Sequence, residues 1–216
     1  MTNIIDFSKA TLPRGRFMKY ERLINEIKNK NKNHHTYTEA EIAEIATQIL
    51  NNIDGYNEAC STPIIRIAKD FGFKTFQGEL DDGKSGDIHI NGKTKERYGF
   101  DKVILVNKED EFFHQRFVVA HELGHYLFGY LGNANYDNTN ITFDETYIKN
   151  MHDSAKEKTA NIFAAEIMMP AKSFIHQYEV AEKEGNGNYV FILMYLSKFF
   201  QTSVNSIEKR ILEVAL

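Results

Sequence analysis

The stretch from Phe112 to Leu131, FFHQRFVVAHELGHYLFGYL, constrains this chain more than any other. Its apolar residues run round every side of a helix, which marks a helix to be buried in a core. Yet it carries His121, Glu122 and His125 in its middle. Helical positions i and i+4 lie on one face, one turn apart. Two imidazoles so placed can share one metal ion. Glu122 stands about 100° round the helix from His121, so it can sit beside that ion without ligating it. One rigid element thus offers two ligands and a general base. Two histidines and an acid in an apolar setting are costly unless they have partners, which weighs against a merely structural pair.

An open metal site of this kind has three protein ligands. The third must come from another element, and the segment Glu157 to Pro170, EKTANIFAAEIMMP, is the best source. It reads as a helix over 154–169 that Pro170 ends. Glu157 and Glu166 are nine residues apart and point to opposite sides, so only one of them can ligate. Glu157 shares its side with Ala160, Asn161 and Ala164, small residues that let another helix come close. Glu166 is expected to meet solvent or a structural partner. Glu157 is favoured, with His152 and Asp153 as alternatives just before the helix. Asn161 is placed either to orient a ligand or simply to pack.

The rest of the chain frames these two helices. At 216 residues, with 42% hydrophobic and 26% charged residues, it is an ordinary globular chain with core enough to fold without staples. Its single cysteine, Cys60, excludes a disulfide framework and any Cys₄ or Cys₂His₂ metal site, and fits a reducing cytoplasm. No signal peptide or membrane span is legible. Net charge is −4, but residues 1–35 hold eight Lys/Arg against three Asp/Glu. They read as a basic extension: Phe17, Tyr20, Ile24 and Ile27 have helical spacing, and Lys28 to Asn33 reads as a solvated linker. A loosely docked leader is expected. Thr38 to Glu41 has capping-box spacing before the stripe Ile42, Ile45, Ala46, Ile49 and Leu50. A short helix follows Pro63. Phe73 to Phe76, Asp87 to Ile90 and Tyr98 to Val106 predict a small, mostly antiparallel sheet. Residues 132–153 read as a long surface loop. Helices over about 171–183, 189–199 and 203–214 complete an α+β chain, divided into an extension at 1–35, a core unit at 36–172 and a helical segment at 173–216.

RFVVAHELGHYLF followed by EKTANIFAAEIMMP resembles the ImmA/IrrE family of metallopeptidases. The typical family pattern reads RFTLAHELGHYLL, then E-x-x-A-N-x-F-A-A-E-L-L-M-P. The likeness extends over roughly residues 38–216, including DKVILVN at 101–107 and the ending at 196–212. Thr159 stands where many relatives have an acid, and Ile167-Met168 replaces Leu-Leu. The resemblance implies His121, His125 and Glu157 as zinc ligands and Glu122 as catalytic base. It implies a compact zincin-like fold and site-specific endopeptidase cuts in a helix-turn-helix repressor, releasing the genes it silences. A second oxyanion donor is expected, for which Tyr136, Tyr147 and His152 are positional candidates.

Two rivals stand beside this reading. The helices at 189–199 and 203–214 have helix-turn-helix proportions. Asn205, Ser206, Lys209 and Arg210 are interrupted there by Glu208 and Glu213, so direct nucleic-acid binding is not expected. A zinc-containing regulatory or binding module without proteolysis is the second. A structural zinc normally has four protein ligands, and only three are convincing here. No phosphate-binding glycine loop and no G-x-S-x-G is present.

Overall fold

The computed structural model describes residues 5–6, 20–57, 59–81, 83–90, 92–132 and 154–214. Two layers meet at α5 (Phe112–His125), which carries the histidines. One layer is a mixed four-stranded sheet of β1 (Ile5–Asp6), β2 (Lys74–Gly78), β3 (Gly86–Ile90) and β4 (Lys102–Asn107), in the order β1-β2-β4-β3. The outer pairings are antiparallel. The central one, β2 with β4, is parallel and sets Phe76 opposite Leu105. Burial along β4 is continuous from Val103 to Val106, as a strand with partners on both sides requires. The remaining elements form the helical layer.

α2 (Glu39–Asn51) begins at the capping box its sequence spells. Thr38 Oγ1 accepts from the Glu41 amide at 3.2 Å, and the Glu41 carboxylate accepts from the Thr38 amide at 2.9 Å. All five residues of its apolar stripe are buried. α3 (Ile64–Asp70) follows Pro63. Tyr98, expected in a strand, instead ends α4 (Gly92–Tyr98), and β4 starts only at Lys102. The polar run before Tyr98 includes the good helix formers Lys93, Lys95, Glu96 and Arg97, and pairing reaches only the residues that face β2 and β3.

The N-terminal helix differs from expectation. α1 (Glu21–Lys32) takes in the supposed linker almost to its end. Tyr20 and Ile27 are fully buried, and Tyr20 stacks on Phe71 at 4.9 Å between ring centroids, so this part of the chain is not a loose leader. Apolar periodicity stops at Ile27, which is why the last turn read as solvated. Residues 7–19, including Phe17, lie outside the described residues, as do 133–153 with Tyr136, Tyr147, His152 and Asp153.

After α5 the chain makes a π-helical turn, Tyr126–Tyr130. Beyond the undescribed segment come α6 (Ser154–Met168), α7 (Ala171–Glu184), α8 (Tyr189–Phe200) and α9 (Val204–Glu213). One core cluster runs through these helices, from Tyr20 at the start of α1 to Ile211 on α9, and a smaller one gathers Phe76, Val103 and Leu105 on the sheet. Arg116, buried on α5, ties the halves together by donating to the carbonyls of Thr62 at 2.6 Å and Gln201 at 3.2 Å. Arg210, offered above as a base-contacting cation, points inward. It is 4% exposed, donates to the Met169 carbonyl and pairs with Glu166 at 2.8 Å. That removes the arginine from any basic face on α9. No described helix is long and apolar enough to cross a membrane.

Candidate metal centre

α5 and α6 make the most extensive helix–helix contact among the described residues, and small residues bring it about. A Cβ added at Gly124 would stand 3.0 Å from the Ala160 Cα and 3.2 Å from the Phe163 ring. Gly124 sits between the two histidines in sequence, and Ala160 lies one turn from Glu157. The helices therefore approach most closely beside these three side chains. The sequence placed Ala160 and Ala164 on that side for this reason.

At the seam the three side chains converge. His121 Nε2 and His125 Nε2 are 2.9 Å apart. The Glu157 oxygens lie 3.4 Å from His121 Nε2 and 3.2 Å from His125 Nε2. Among the described residues, this trio is the group of His, Cys, Asp or Glu side chains close enough to hold one metal ion. Donor atoms about 2.05 Å from a zinc ion at tetrahedral angles are about 3.3 Å from one another, so the trio fits such an ion.

The hydrogen bonding and the electrostatics agree. His121 Nδ1 donates to Asn161 Oδ1 at 3.0 Å, which leaves Nε2 as a bare lone pair. That lone pair faces a carboxylate oxygen, and two acceptors in contact need a cation or proton between them. Burial lowers the pKa of His121, opposed by Glu157 and the Asn161 bond. Burial, with the neighbouring His121 and Lys156, takes His125 down to about 3. Both rings are thus neutral at physiological pH, as metal ligation requires.

Glu122 lines a cleft of about 110 Å³ together with the trio and with Lys84, Gly86, Asp87, Ile88 and Tyr130. It is 9% exposed. Burial raises its pKa to about 8, with Asp87 and Glu157 adding to the rise and Lys84 opposing it. A carboxyl group that trades its proton near neutrality is suited to general acid–base work. A cation among the ligands acts in the opposite direction and favours the carboxylate.

The structure thus gathers His121, Glu122, His125 and Glu157 at one place, and sends Glu166 to the opposite side of α6, against Arg210. The alternative ligands His152 and Asp153 lie outside the described residues. Sequence reading left open whether Asn161 orients or packs, and it orients His121. It also missed Lys84 and Asp87 on the cleft wall. Lys84 precedes and Asp87 is the second residue of a short strand of ordinary composition, with no local signal of a site. Comparison with known families places residues 61–212 within the peptidase family M78, described as the IrrE N-terminal-like domain. No curated protein matches the chain.

Proposed function

The chain belongs to this metallopeptidase family, and from that premise we propose that it is a zinc-dependent endopeptidase making site-specific cuts in a protein substrate. The carrying observation is the convergence of two neutral imidazoles and one carboxylate beside a buried glutamate. His121, His125 and Glu157 would hold the zinc ion, which would supply Lewis-acid polarisation of the scissile carbonyl and a water nucleophile at neutral pH. Asn161 holds the His121 ring in the tautomer that leaves Nε2 free. Glu122 takes a proton from the attacking water and returns it to the leaving amine. Its burial and the nearby Asp87 favour the protonated state it needs for the second step.

β3 ends the sheet, and its far side has no strand partner among the described residues. Gly86, Asp87 and Ile88 of this strand line the same cleft as Glu122. A substrate segment adding itself along β3 would bring its backbone past the general base. The substrate we favour is a helix-turn-helix transcriptional repressor met in the cytoplasm, whose cleavage derepresses its genes. The resemblance of both sequence motifs to the ImmA/IrrE family supports it. The non-proteolytic alternative wants a fourth protein ligand, and the described residues offer three.

The test mixes zinc-loaded protein with the helix-turn-helix repressor encoded beside its gene, with Glu122→Gln as control. A discrete cut by mass spectrometry, made only by the wild type, is the expected result. An equally active Glu122→Gln protein overturns the assignment of the base. No cut by a stoichiometrically zinc-loaded sample overturns the repressor as substrate.

A further inference from the structure

The metal helix does not end as an ordinary α-helix. At its exit Leu131 donates its amide to the Tyr126 carbonyl, five residues back, at 2.8 Å. In an α-helix that amide would meet the Leu127 carbonyl. The π-turn therefore takes from Leu127 its usual partner, two residues after the ligand His125. Asn31 supplies a replacement from the other end of the chain. Its Nδ2 donates to the Leu127 carbonyl at 2.8 Å and to the Leu131 carbonyl at 2.7 Å. Its Oδ1 accepts from the Tyr37 hydroxyl at 2.7 Å, which fixes the amide so that Nδ2 faces the turn.

Two more contacts fasten the same place. A Cβ on Gly132 would stand 2.8 Å from the Lys28 Cα, so the backbone of α1 lies directly against the end of the turn. The Tyr37 ring meets Phe128 edge-on at 4.7 Å, and Phe128 meets Phe163 of α6 at 5.5 Å. Phe128 lies three residues after His125 and Phe163 six after Glu157, so one packed row joins α1 and its following loop to both ligand-bearing helices. Asn31 and Tyr37 both lie outside the family match at 61–212.

We propose that Asn31 is a positioning residue of the metal centre, holding the π-turn that sets the exit of α5 and hence the place of His125 opposite Glu157. This rests on the reading of His121, His125 and Glu157 as metal ligands. An open metal site repays rigid ligands, since a ring displaced by a fraction of an ångström loses part of its bond to the ion. Asn31 acts at a distance from the ion, through backbone carbonyls.

The test uses the full-length chain and zinc alone, with affinity read by competition against a chromophoric chelator. Asn31→Asp keeps the shape and the acceptor for Tyr37 but loses both donors to the carbonyls. It is expected to weaken zinc binding about tenfold, the low end of what loss of an outer partner of a ligand costs. Tyr37→Phe, a milder change that unfastens the Asn31 amide and drops a long 3.4 Å contact to the Ile27 carbonyl, is expected to weaken it by a smaller factor and to add little on top of Asn31→Asp. Leu23→Ala removes a buried side chain elsewhere on α1. It is expected to lower the melting temperature while leaving zinc affinity unchanged, the separation that a purely structural role for α1 cannot produce in reverse. Zinc affinity within twofold of wild type in both Asn31→Asp and Tyr37→Phe overturns the proposal. A parallel fall of affinity in Leu23→Ala does so as well. A wild-type chain that binds no zinc overturns the metal-site reading beneath it, which the other two outcomes leave standing.

Discussion

Helix α6 carries two glutamates on opposite sides, and their surroundings differ in kind. Glu166 meets the guanidinium of Arg210, itself held by the Met169 carbonyl and Glu213. Its charge is answered within the chain. Glu157 meets two imidazoles that burial keeps neutral, one of them with its lone pair turned toward the carboxylate. The chain provides no full positive charge at that contact. An acid paired with a buried cation of the same chain holds a fold together. A group of acceptors facing one another without a cation is a site awaiting one. Residue type and helix are the same in both cases, so what separates structure from chemistry is the partner brought by another element.

The sharpest way to break this comparison is Glu122→Gln. It is expected to lower peptide cleavage by roughly 10³-fold or more, within the range attributed to a positioned general base. Zinc content by elemental analysis should stay at the wild-type ratio, because Glu122 is not among the ligands. Arg210→Met attacks the other end of α6. Leaving the partly exposed Glu166 without its cation and the Met169 carbonyl without its donor should cost about 1–3 kcal/mol in urea unfolding. The double variant with Glu166→Gln should regain part of that loss. Zinc affinity of the folded fraction should not move in either. If it falls, the two ends of α6 are not independent.

Asn161→Ala probes the support of the metal ligands alone. Freed from its Nδ1 partner, His121 is expected to bind zinc about 10–100-fold more weakly. The chelator competition described for Asn31 measures it, and an unchanged affinity would leave Asn161 a packing residue. The smallest expected effect extends the comparison to a third carboxylate. Glu41 is held at about 2, well below its ordinary 4.5, by the Thr38 amide and then by Lys30 and His35. A carboxyl group with a lowered folded-state pKa stabilises above its unfolded value and loses that contribution as pH falls through the folded one. The contribution of Glu41 is therefore complete above about pH 5 and fades toward pH 2. Glu41→Gln should show a flatter stability profile across that window, with the two proteins converging at its acid end. Equal slopes would show that these exposed contacts are silent.

Much of the site was legible from local spacing. His121, Glu122 and His125 lie on one helix whose phase fixes their relative directions before any tertiary contact forms. Glu157 and Glu166 could be sorted by the same phase and by the small residues beside Glu157. The apolar stripe and capping box of α2 were legible for the same reason. Other features were not. The parallel pairing of β2 with β4 joins strands separated by β3 and α4, and nothing in either strand names its neighbour. Arg210 reads as a surface cation because its partners, Glu166 and Met169, lie some forty residues earlier in the chain. Lys28 to Asn33 has no apolar period, so the role of Asn31 is invisible until Leu127 and Leu131 stand beside it.

What the sequence determined by itself is the set of groups that one helix can present together. The repeat of 3.6 residues is a property of the backbone, and it placed two imidazoles on one face with a carboxyl group beside them. What only the tertiary structure decided is which partners those groups meet. Glu157 faces neutral rings because α5 packs on α6 at its side chain, and Glu166 faces Arg210 because α9 brings that arginine to the other end of α6. Asn31 bonds the Leu127 and Leu131 carbonyls beyond α5 because the backbone of α1 lies against the turn there. Such pairings arise from how whole faces bury against one another, and no short window of sequence contains both sides.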